Sequence, residues 1–83
     1  MSKHRDRSIT IDGRTLSVRM EEEFWVYLTD IAAERNMTLH VLIKSVVGKE
    51  AANVDGRRLA SILRVYVLEK VMEAARRGGR PAS

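Results

Sequence analysis

Arg14-Thr15-Leu16-Ser17-Val18-Arg19-Met20 sets Leu16, Val18 and Met20 against Thr15, Ser17 and Arg19. One face is apolar and the other polar, at the two-residue period of a strand. Directly after it, from Glu21-Glu22-Glu23-Phe24-Trp25, the period becomes helical. A lone strand leaves its backbone donors and acceptors unpaired, and the chain offers few other strands. The simplest neighbour is the same strand from a second copy, which gives a two-stranded antiparallel ribbon across a dimer two-fold. A second neighbour lies close by. Ser8-Ile9-Thr10-Ile11 also alternates, and Asp12-Gly13 follows it. Asp-Gly between alternating runs signals a type I′ hairpin, which would fold Ile9 and Ile11 back on residues 15–18. A ribbon flanked by such extra strands would be wider than the two-stranded one that a major groove admits.

Outward from the strand, the spacing predicts three helices. The first runs from about Glu22 to Arg35, with Glu21, Glu22 and Glu23 complementing its positive end. Phe24, Leu28, Ile31 and Ala32 form its buried stripe, Trp25 and Tyr27 stand at the edges, and Asn36 is a left-handed stop. The second is capped by Thr38. Its apolar face is Leu39, Leu42, Ile43, Val46 and Val47, and it continues past Gly48 to about Ala52. The third is capped by Asp55 and runs from about Arg57 to Arg77, with Glu73 and Arg77 placed as an i,i+4 pair. Its middle, Ile62 to Leu68, is apolar nearly all round, so one side packs on the first two helices and another needs a further surface.

At 83 residues the chain makes one domain. Residues 1–7 are expected to be a disordered basic arm, 8–77 the folded domain and 78–83 a disordered tail. A chain this small buries a modest share of its surface, and a second copy sharing the core is a common remedy. Cysteine is absent, which removes disulfides, thiolate metal sites and a Cys nucleophile. No apolar run approaches the ~20 residues of a membrane span, and the start lacks a secretory h-region. A cytoplasmic location is expected. The net charge is +4, and the isoelectric point is about 10.0, a balance that favours polyanions, nucleic acid first.

The residues of an enzyme are not assembled. His4 and His40 have no partner at metal-ligand spacing. No serine sits in a nucleophile elbow, and Gly48-Lys49 lacks the rest of a phosphate-cradling loop. No metal, cofactor or catalytic residue is assigned. The ribbon offers other chemistry. Paired across two copies, Thr15, Ser17 and Arg19 project outward as a strip narrow enough for the major groove. Arginine there grips guanine O6 and N7, and Ser and Thr bond base edges. The free N–H groups at Thr38, Leu39 and His40 make an anion site suited to a DNA phosphate. Lys3, Arg5, Arg7 and Arg14 are further expected phosphate contacts. Leu16, Val18, Met20, Leu42, Ile43, Ile62, Val65 and Tyr66 are the expected dimer core. Two-fold symmetry then calls for a palindromic or repeated operator.

Strand, helix, Asn-x-Thr turn and helix together resemble the ribbon-helix-helix superfamily of bacterial and phage repressors and antitoxins. A branch of small bacterial members is the closer likeness. It is carried by Arg14 to Glu21 leading into Phe24-Trp25, then Leu28 and Ile31-Ala32, and later Leu59-Ala60-Ser61-Ile62-Leu63-Arg64-Val65-Tyr66-Val67-Leu68-Glu69. The likeness covers residues 8–69. It implies a mostly α fold with a short β-ribbon, a ribbon-helix-helix homodimer, here with an added C-terminal third helix. It implies DNA binding, with Thr15, Ser17 and Arg19 at the base-reading positions and Thr38 and its neighbours at the phosphate clamp. The expected function is a DNA-binding regulator, a repressor. An adaptor or antitoxin-like module that holds a second protein through its third helix or basic tail, without reading DNA, stands beside it.

Overall fold

The computed structural model describes residues 3–77. Two strands lead, β1 (His4–Ile11) and β2 (Arg14–Glu21), followed by α1 (Glu22–Glu34), α2 (Leu39–Val47), a 3-10 segment (Gly48–Asn53) and α3 (Gly56–Arg76). The strands pair antiparallel along their whole length, from Ile11 opposite Arg14 at the turn to His4 opposite Glu21 at the open end. They form a two-stranded sheet.

The ribbon is therefore closed within one chain. The neighbour of β2 is β1, not a second copy of β2. The turn is the physical reason. Asp12 and Gly13 both have positive φ, at 50° and 78°. This is the type I′ geometry whose twist matches that of the flanking strands. Closing a two-residue loop costs far less entropy than bringing a second chain into register.

The pairing also runs further toward the N-terminus than the apolar alternation foretells. His4–Arg7, expected in a disordered arm, are strand. Trp25 accounts for this: its indole N–H donates to the Arg5 carbonyl at 3.0 Å, and the Arg7 guanidinium lies 5.4 Å from its ring centre. The Lys3 carbonyl accepts from the Glu22 N–H at 2.7 Å, tying the open end of the ribbon to the start of α1. The expected tail at 78–83 lies outside the described residues, as do Met1 and Ser2.

The underside of the ribbon, Ile9, Ile11, Val18 and Met20, is buried on all three helices. Trp25, Leu28 and Ala32 face it from α1, Leu42, Ile43 and Val47 from α2, and Leu59, Leu63 and Val67 from α3. Within α1 the stripe is rotated from the expected one. Trp25 is central, Phe24 and Ile31 are only partly buried, and Tyr27 is half exposed. The rotation follows from β1, which gives Trp25 both a surface to pack on and an acceptor for its N–H.

The caps decide where helices begin and end. Asn36, with φ 58°, stops α1, and the Thr38 hydroxyl accepts from the Val41 N–H at 3.1 Å. The α2 helix ends at Val47 rather than near Ala52. Gly48 turns the backbone to φ 56°, ψ −127°, and the chain goes on as a 3-10 segment. Asp55 caps α3, accepting from the Arg58 N–H at 2.8 Å. From Val71 on, every described residue of α3 is exposed, so the last turns of the helix stand clear of the core.

Candidate nucleic-acid interface

The alternation within each strand and the register between them build one outward strip. Going from the turn to the open end, it pairs Thr10 with Thr15, Ser8 with Ser17, Asp6 with Arg19 and His4 with Glu21. All but Glu21 are exposed, and Glu21 is partly so. The Thr10 and Thr15 hydroxyls lie 3.2 Å apart. Asp6 and Arg19 form a loose ion pair at 3.7 Å between side chains 61% and 71% exposed. At such exposure the pair is worth ~0–1 kcal/mol, so it leaves the arginine free to exchange its partner.

Thr15, Ser17 and Arg19 thus share one face. Their partners on that face are Thr10, Ser8 and Asp6 of the same chain. Sequence reasoning missed these three as surface readers. The signal for them is the alternation of His4, Asp6, Ser8 and Thr10, given a register by the two-residue turn. A carboxylate in a major groove accepts from cytosine N4, and Thr methyls meet the thymine methyl. The strip therefore holds donors, acceptors and methyls, and its formal charges nearly cancel.

At the open end, Glu21 is held by Arg64 of α3 at 3.0 Å and faces His4 at 3.5 Å. Its carboxyl sits below the ordinary carboxylate range, first through its own backbone N–H and then through the Arg64 guanidinium.

The expected phosphate contacts separate into three places. Thr38, Leu39 and His40 form the start of α2, beside the turn end of β1, where His40 Nε2 lies 3.2 Å from the Thr10 carbonyl oxygen. The first N–H groups of this helix have no acceptor in their own helix and stand next to the strip. Arg5 and Arg7 lie on the α1 side of the ribbon, Arg5 opposite Glu22 at 3.6 Å and Arg7 over Trp25, and Lys3 precedes them. Arg14 is turned inward, donating to the Ala51 and Val54 carbonyls at 2.5 and 3.1 Å. That contact fastens the turn end of the ribbon to the segment before α3.

Of the expected dimer core, Val18, Met20, Leu42 and Ile43 are fully buried within one chain. Leu16, Ile62 and Tyr66 are partly buried, and Val65 is half exposed. Among the described residues, no three His, Cys, Asp or Glu side chains are placed to hold a metal ion. No described helix is long and apolar enough to cross a membrane.

A β-ribbon followed by helices, with a polar outward strip, is the frame of a ribbon-helix-helix domain. The family model of that domain matches residues 4–71, and the chain belongs to this family. The match begins in β1 and ends in α3, so it takes in both the hairpin and most of the third helix. Members of the family are generally DNA-binding regulators or antitoxins, typically dimeric and typically not enzymes. Among solved structures, the chain is similar to an uncharacterized protein from Bordetella pertussis Tohama I, with 30% identity and a TM-score of 0.72. The similarity covers 98% of this chain and 66% of that one, so this chain spans just under two thirds of its length. No curated protein matches.

Proposed function

We propose that this protein is a sequence-specific DNA-binding transcriptional regulator, a repressor, that acts as a homodimer and inserts its β-ribbon into the major groove. The observation that carries this is the outward strip. Thr15, Ser17 and Arg19 of β2 face away from the core beside Thr10, Ser8 and Asp6 of β1, in a chain of the ribbon-helix-helix family. Two strands ~5 Å apart enter a groove ~12 Å wide. Each copy brings a whole ribbon, so a dimer presents two ribbons to a repeated operator. The start of α2, at Thr38, Leu39 and His40, takes a phosphate beside the groove.

The test is fluorescence anisotropy with a duplex from the DNA upstream of this protein's own gene, against a scrambled duplex at ~150 mM salt. A specific regulator prefers its operator by ~10³ or more. Arg19→Ala weakens operator binding by ~1–3 kcal/mol and leaves the melting temperature in place. Equal, weak binding of the parent to both duplexes, lost as salt rises, reduces the interaction to general charge attraction and rejects the proposal.

A further inference from the structure

The third helix brings cations to the ribbon. A cleft of about 550 Å³ lies between β2 and the first half of α3, and Ser17, Arg19, Arg57 and Arg64 line it, with His4 and Gly56. Its position follows from Gly56. The backbone there packs so closely on β2 that a Cβ would collide with the Ser17 carbonyl, and only glycine permits that approach. The next residue, Arg57, is thereby set beside the outward strip.

The three arginines differ in what holds them. Arg64 is bound to Glu21 at 3.0 Å and lies over the Phe24 ring. Arg19 has its loose contact with Asp6. Arg57 is exposed and has no ion-pair partner among the described residues. The acid nearest to it in the chain, Asp55, turns its carboxylate to the Arg58 N–H. A cleft at the β2 edge of the ribbon meets the wall of a groove whose floor the ribbon reads, and that wall is sugar and phosphate. Among the described residues, no Phe, Tyr or Trp lines the cleft to stack a nucleobase.

We propose that this cleft holds a backbone phosphate of DNA, with Arg57 as its main cation, so that α3 extends the ribbon's contact from base edges to the adjoining strand. The proposal rests on the DNA-binding reading above and deepens it. It gives the third helix a task at the DNA, on the flank of the ribbon opposite the start of α2.

The test titrates operator and scrambled duplexes at several salt concentrations with the parent, Arg57→Ala, Arg57→Lys and Arg19→Ala. A phosphate contact predicts that Arg57→Ala weakens both duplexes by the same factor, roughly threefold to tenfold, and lowers the slope of log affinity against log salt by about 1. Arg57→Lys recovers most of the slope. If Arg57→Ala matches the parent in affinity and slope while Arg19→Ala loses operator binding, the ribbon reads DNA and the cleft is no part of it. A loss confined to the operator makes Arg57 a base reader and overturns the phosphate assignment. A parent that binds neither duplex overturns both proposals.

Discussion

Glu21 stands where three parts of the molecule meet: the last residue of β2, the start of α1 and, through Arg64, the middle of α3. Its carboxyl is held below the ordinary range. A carboxyl whose pKa is lower in the folded than in the unfolded chain adds stability above the unfolded value and loses it as pH falls through the folded one. Glu21→Gln is therefore expected to melt slightly below the parent at pH 7. The difference closes as the pH drops below ~4. Thermal melts monitored by circular dichroism across that range check it, and a gap that persists undiminished at pH 3 or lower shows that the charge of Glu21 is not what stabilises the fold. The effect is modest because the partners are partly exposed to solvent.

The ribbon is the element on which everything else is seated. Val18 has no exposed surface and lies on the same side of the ribbon as Met20. Val18→Asp puts an unpaired charge under the ribbon, at a cost of several kcal/mol that a domain this size does not withstand. Loss of the cooperative melt is the expected result. An unchanged melting temperature would place Val18 on the solvent side and shift the register by one residue. Much at this scale was legible in the chain. The alternation of residues 14–20, the caps at Thr38 and Asp55 and the stop at Asn36 are local signals, and local signals survive in sequence. The partner of β2 was harder to read. The Asp12-Gly13 turn pointed to it, but the strand-forming character of His4–Arg7 comes from Trp25, 18 to 21 positions away in the chain. The place of Arg57 was hidden for a similar reason, since it depends on how Gly56 meets Ser17.

At the scale of the whole molecule, α3 leaves an apolar stripe uncovered. Val65, Leu68 and Met72 are each more than half exposed, at 52%, 52% and 56%, and their i, i+3, i+7 spacing aligns them on one side of the helix. The ribbon's underside is already buried in one chain, so the proposed homodimer would form on the stripe, with half-buried Ile62 and Tyr66 beside it. Leu68→Glu is expected to weaken self-association by roughly tenfold or more while leaving the fold of each copy intact. Sedimentation velocity over a concentration series reads this directly. A parent that stays monomeric at high concentration would leave the stripe to another protein and favour the adaptor reading.

The short turn at Asp12-Gly13 has one more consequence. A ribbon made by two identical strands from two chains carries every side chain twice, and each substitution in it strikes both halves together. Here the two strands differ in every outward pair but two, Thr10 with Thr15 and Ser8 with Ser17. One codon thus governs one point of each ribbon's outward strip. Under the proposed function, such a strip would drift toward a new target one contact at a time, each intermediate keeping most of its hold on the old one.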